Sequence, residues 1–355
     1  MFPCLTGRGR DARKEKKKML RAMDSAVAGL RSHQNKMDVV GHNIANVNTF
    51  GFKAQTYTFK EAMYQTSTAS TAGDKTGGVN AAQFGYGTLM GSIGMDMTAS
   101  TPSYVGGFNA SINGEGFYIT APSKLGDATA GIDATKFKEY DFDYTRVGQF
   151  LLDSNGYVVD ANGNFVYGFQ KTGVDTNGED TFDAALKPLR VPKVTVDATD
   201  PTKITETITV SDKQEDASTS VTIQINNAGI ITASVKYEKK PADTTATPPT
   251  PAEYDTKVCT LGKVAIATFQ NPNGVSKAGG NYYKATKNDN TGAGIAAAPG
   301  DAGTSTLMGG FIESSNVDLA KEFADMITTH RGFQANSKMI TVSDEMLSDL
   351  VAMKR

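Results

Sequence analysis

The sequence predicts an α+β chain, mostly β. A discontinuous, coiled-coil-like helical domain drawn from both termini encloses nested, inserted β domains. Three observations carry this. Met23, Ala26, Leu30, His33, Met37, Val40 and Ile44 recur at alternating gaps of three and four, the stripe of a helix that faces a helical partner. Leu319, Phe323, Met326, His330, Phe333, Ser337, Ile340, Asp344, Leu347 and Val351 repeat the pattern. Between these stretches apolar residues alternate with period two and are punctuated by Asn-Gly pairs, the mark of strands and hairpins.

In chain order, residues 1–18 form a basic leader of net charge +5, leaving −7 on the remainder of a 355-residue chain whose total is −2. The leader lacks an apolar core and a small-residue cleavage site, so it is no secretory signal. A nucleic-acid or membrane-binding arm is its functional alternative, although a short charge run is ordinarily just solvated. No later stretch is apolar for long enough to span a membrane, and no bulk basic surface argues for nucleic acid. The cysteines are Cys4 and Cys259, too few for a disulfide framework.

The first helix stops at Asn43-Ile44-Ala45-Asn46-Val47-Asn48-Thr49-Phe50-Gly51-Phe52-Lys53. Asn tolerates turn conformations and Gly51 has no Cβ penalty, so this run can end a helix and redirect the chain. The segment Leu30–Lys53 closely resembles the signature of the flagellar rod and hook axial proteins, whose chains begin a few residues before this helix; the resemblance implies that residues 1–18 are a start-codon miscall or an extension ahead of Met19.

Residues 56–84 are rich in Ser, Thr, Ala and Gly with little periodicity. They read as a spacer that orders only against neighbouring subunits. From 85 to 172, strand and turn signals are dense. A glycine-marked turn at Asn113-Gly114-Glu115-Gly116 precedes Phe117-Tyr118-Ile119, and Tyr144 to Phe150 reads as a second strand. Asp153-Ser154-Asn155-Gly156 and Asn162-Gly163 then make hairpin turns. These runs resemble the Asn-Gly-x-Gly-Phe-Phe and Tyr-Thr-Arg-x-Gly-x-Phe motifs of the same family, although Asn109-Ala110-Ser111-Ile112 replaces its usual approach.

Residues 173–260 read as an outer β insertion, with alternation at Val194–Val196, Ile204–Val210, Val221–Ile225 and Ile230–Val235, and a proline-rich exposed loop from Pro241 to Pro251. The chain returns to the first β domain over 261–310 through Leu261–Phe269, the turn Asn271-Pro272-Asn273-Gly274, and a Gly/Ala-rich linker from Thr291 to Gly303. Ser315 or Asn316 is positioned to cap the last helix, with Asp318 near its positive end.

Little here does chemistry. His33, His42 and His330 form no zinc motif, and His33 and His330 fall on the helical stripes, where packing explains them. Asp175–Asp180 lacks the ligand spacing of a calcium loop. No P-loop or Gly-x-Ser-x-Gly is present. The reading is a non-enzyme without cofactor or metal.

Apolar stripes at helical spacing are ordinarily core, and on pattern alone the two end helices pair within one chain. A two-helix hairpin offers little area for burial, however, so further copies of the chain are the natural cover. The resemblance to the rod and hook family implies a structural subunit, with the hook favoured over the distal rod. Residues 19–55 plus 311–355 would line a helical tube acting as a flexible joint that passes torque from rod to filament. Self-assembly residues on this reading are Met23, Leu30, Met37, Ile44, Asn43, Asn46, Gly51, Phe52, Leu319, Phe323, Met326, Phe333, Ile340 and Leu347. Implied partners are the homopolymer itself, distal rod, hook cap, hook–filament junction protein and the type III export apparatus, with an extracellular location after export. From a different class, the alternative is a secreted β-domain adhesin with helical oligomerisation ends.

Overall fold

The computed structural model describes residues 7–73, 77–125, 131–174, 180–191, 193–196, 204–207, 221–240 and 253–353. The proline-rich stretch and most of Asp175–Asp180 lie outside them. Among the described residues the protein is mostly β with two long helices, α1 (Gly7–Ala45) and α2 (Leu319–Ala352). The chain divides into two compact units: residues 1–47, 54–96 and 317–355, and residues 48–53 and 97–316.

The first unit holds both helices. α1 is continuous from Gly7, upstream of Met19, so no break marks the end of the basic leader. α2 is capped by Asp318, whose carboxylate accepts from the Ala320 and Lys321 amides. The expected caps, Ser315 and Asn316, lie too far upstream. Asp318 does both jobs, since it satisfies orphan amides and sets a negative charge at the positive end. Residues expected as an unpatterned spacer form strands instead. Gln55–Glu61 pairs antiparallel with Thr88–Met95, and Tyr64–Thr68 with Ala82–Gly85. The second ribbon is exposed along both faces, which is why no burial alternation signals it in the sequence.

The second unit contains a sheet of 14 strands among the described residues. Its main path runs Val221–Ile225, Ile230–Lys240, Glu253–Val264, Phe165–Val174, Phe117–Ala121, Asp143–Thr145, Tyr282–Lys284, Ser276–Gly279. The hairpin turns fall where the Asn-Gly pairs stand. Gly156 and Gly163 take positive φ, and their amides donate to Asp153 and Asp160. The strand expected over Tyr144–Phe150 is interrupted between Thr145 and Phe150. Arg146 turns inward there, and Gly148 passes so close to the Ala110 carbonyl that a Cβ would overlap it. The Gly/Ala stretch after Thr291 is likewise no free linker, since Gly294–Ala297 pairs with Ile266–Phe269.

Glu253–Val264 joins the outer strands to the rest. One end pairs with Phe165–Val174 while its length pairs with Ile230–Lys240. One apolar cluster accordingly runs from Tyr118, Phe150 and Val166 through Leu189 to Ile231, Val235, Cys259 and Leu261. Each of these residues would lose roughly 1.5–3 kcal/mol of transfer free energy on exposure.

Candidate self-assembly surface

Four contacts set the register of the antiparallel helix pair in the first unit. The Asn43 amide donates to Glu322 at 3.1 Å and Lys36 pairs with Asp325 at 2.9 Å. Further along, a Cβ on Gly332 would stand 2.7 Å from the His33 ring, and one on Gly29 2.7 Å from Asn336. The helices therefore approach through glycine, and the fit depends on the missing side chains.

The buried residues of α2 are Glu322, Thr329 and Ser343. With Asn336 facing Gly29, they step by sevens along one face, so this face is a heptad seam built from polar and small residues. Thr329 and Ser343 turn their hydroxyls back onto the carbonyls of Asp325 and Met339, at 2.6 and 2.7 Å. That leaves methyl and methylene surface toward α1 without an unpaired polar group. On α1, Ala26, Gly29, Ser32, Val39, Val40 and Asn43 are buried. Its second face meets the neighbouring ribbon: Ser32 donates to the Thr88 carbonyl at 3.0 Å, and His33 tilts against Phe59.

On α2 the intrachain seam thus lies one residue out of phase with the apolar stripe read from the sequence, whereas on α1 the stripe residues Ala26 and Val40 are buried and His33 meets Gly332. Met23, Leu30, Met37 and Ile44 on α1 are half-buried at its flank, as are Met326, Phe333, Ile340 and Leu347 on α2. Leu319 and Phe323 stand outside it, with Phe323 50% exposed. Ile327, 62% exposed, extends that uncovered surface, and Met339, Met346 and Val351 are exposed further along α2. Ile327, Met339 and Met346 were missed in the sequence, although Phe323-to-Ile327 and Met339-to-Met346 are helical spacings.

The signature residues serve the fold in different ways. Asn43 is buried at the end of α1 and grips the Gln55 backbone twice, donating to its carbonyl at 2.8 Å and accepting from its amide at 2.9 Å. This holds the returning chain against the helix. Asn46 is half-buried and donates to the His42 carbonyl at 2.9 Å. Burial pushes the Glu322 carboxyl up from its ordinary value, against the Asn43 hydrogen bond that pulls it down.

Gly51 and Phe52 belong to the second unit and are buried in it. Gly51 has φ +66°, and a Cβ there would stand 2.9 Å from Val147. The Phe52 ring lies under the Lys277 ammonium at 4.6 Å, a cation–π contact.

The terminal helices pair through a thin polar seam and leave apolar side chains of α2 uncovered, the arrangement of a structural chain with a β region carried between its end helices. The family model described as flagella basal body rod protein matches residues 23–53. The model for the C-terminal region of flagellar basal body rod FlgEFG proteins matches residues 308–353. A flagellar basal-body rod protein FlgG of Bacillus subtilis is 34% identical, aligned over 95% of this chain and all of that protein. A flagellar hook protein FlgE of Borreliella burgdorferi is 26% identical over the same shares. A solved hook protein FlgE2 of Helicobacter pylori covers 61% of this chain and all of its own at 12% identity, with a TM-score of 0.32, too loose a likeness to bear on the fold. The chain belongs to the flagellar rod and hook family, the structural axial proteins of the basal body and hook.

Proposed function

We propose that the chain polymerises into the axial tube of the flagellum, with α2's uncovered face as the contact between copies, and that its station is the hook. The uncovered Leu319–Phe323–Ile327 stripe carries the assembly part of this reading. A monomer gains nothing from apolar side chains in water, whereas a neighbouring helix would desolvate them. Leu30, Met37, Met326 and Phe333 at the flank of the pair would complete such a seam. The hook assignment rests on Ser315–Glu322, which resembles hook more than rod sequences, and on the strands of the outer β insertion. On this reading the tube is a bendable joint that passes torque.

The distal rod is the second reading, favoured by the higher identity to a rod protein aligned along its whole length. Placing the chain on the organelle separates the two. An epitope inserted in the proline-rich stretch near Thr245 is expected to decorate a short curved segment at the filament base. Label confined to the rod transfers the chain to the distal rod. Flagella without label overturn the axial reading altogether.

A further inference from the structure

Three of the sequence motifs, far apart in the chain, end in one buried ion cluster. Lys53 closes the N-terminal signature, Arg146 sits in the Tyr-Thr-Arg run, and Glu313 precedes the last helix. Their side chains are 1–2% exposed. Glu313 Oε1 accepts from Lys53 Nζ at 2.8 Å and from Arg146 Nη2 at 3.1 Å, while Oε2 accepts from Arg146 Nε at 2.9 Å. The cations spend their remaining donors on backbone. Lys53 reaches the Thr98 carbonyl at 2.6 Å, and Arg146 the Gly116 and Gly114 carbonyls at 2.6 and 2.8 Å.

Further hydrogen bonds tie the segments around Gly51, Ser100 and Glu313 together. The Gly51 amide donates to the Glu313 carbonyl at 2.8 Å and the Ser100 amide to Glu313 Oε1 at 3.1 Å. The Ser100 hydroxyl donates to the Ser315 carbonyl at 2.9 Å.

We propose that Glu313 is a latch: its one carboxylate, shared by two buried cations, seats the signature segment 48–53 and the segment 97–101 onto the β unit. The energetics favour a local, all-or-none device. Lys53 and Arg146 share the one Glu313 carboxylate, and their burial is tolerable only while it and the three carbonyl contacts are in place. Remove the carboxylate and both buried cations lose the partner they share, so the cheapest relief is for Lys53 to leave with its segment. The Phe117–Ala121 strand is paired independently on both sides and keeps its bonds. The latch also spans 260 residues of chain, so the signature cannot be seated until the C-terminal segment has arrived.

Native-state hydrogen exchange on the full-length, unassembled chain tests this, and it does so whether or not the chain polymerises. In Glu313→Gln the Gly51 and Ser100 amides are expected to exchange on the order of 100-fold faster or more, since breaking a buried pair is costly. The Tyr118 and Ile119 amides should stay within about threefold of wild type. Lys53→Met leaves the Glu313–Arg146 pair electrically matched and safeguards against a variant that fails to fold. It should loosen Gly51 while sparing Ser100, whose acceptor remains. The latch is refuted if Gly51 and Ser100 keep wild-type protection in Glu313→Gln. It is equally refuted if Tyr118 and Ile119 lose protection in step with them, because the cluster would then be a global prop.

Discussion

Phe323→Asp separates the seam that pairs the helices within a chain from the stripe proposed to join copies. Phe323 is 50% exposed, and a Phe side chain offers ~200 Å² in all, so ~100 Å² remains for a neighbour to cover. At ~25 cal/mol/Å² that is worth about 2.5 kcal/mol per subunit, or roughly a 70-fold change in critical concentration. Aspartate adds a desolvation penalty on top, while alanine, keeping its Cβ, should cost less. Monomer stability should move by only about 1 kcal/mol, as for a half-exposed site away from the buried seam. The assay pairs pelleting at graded concentration with urea unfolding below the critical concentration. Leu30→Asp should act in the same direction, and the buried Val40→Asp should instead unfold the monomer. Wild-type polymerisation by Phe323→Asp would refute the stripe as a contact. A loss of ~3 kcal/mol or more in its monomer would show that Phe323 belongs to the intrachain core.

Three further outcomes are expected. Gly148→Ala drives a Cβ into the Ala110 carbonyl. It should cost ~3 kcal/mol or more by urea unfolding, with Gly163→Ala, which meets nothing but carries a positive φ, well below it. Asp318→Ala removes two cap hydrogen bonds and should lower stability by about 1 kcal/mol, with Asp318→Ser close to wild type. Burial and then Lys36 hold the His33 imidazole below its ordinary 6.5, so the unfolded chain binds its proton first as pH falls. Neutral His33 therefore contributes stability fully present above 6.5 and lost progressively below it. The urea midpoint should fall from pH 7 to 5, and His33→Gln should flatten that slope.

Helix and strand positions were legible wherever burial imposes a period. The stripes of α1 and α2 announced helices, and the pairs at Asn155-Gly156 and Asn162-Gly163 marked hairpins, because those turns need the backbone freedom that Gly supplies. Legibility failed where the deciding interaction is non-local or uses small residues. Nothing in Tyr144–Phe150 tells of the Ala110 carbonyl that Gly148 must pass. The exposed ribbon of Tyr64–Thr68 and Ala82–Gly85 buries neither face, so it shows no alternation. The approach of Gly29 to Asn336 leaves no apolar trace, which put the seam one residue out of phase. Lys53, Arg146 and Glu313 were visible only as charges inside motifs, since a pattern of types cannot say that three distant charges meet in one cluster.

The phase difference between seam and stripe has a physical logic. Had the largest apolar residues of α2 faced α1, the two-helix unit would have satisfied itself and left a polar exterior with no drive to add copies. Instead the inner seam spends Glu322, Thr329, Asn336 and Ser343, which define register through size and hydrogen bonding but bury little apolar area. On the proposed assembly, register and affinity fall to different faces of one helix. A polar contact penalises the wrong alignment more than it rewards the right one, so it suits the pair that must form first. Apolar area rewards any close cover, so it suits a contact made many times over, once the backbone geometry of each copy is already set.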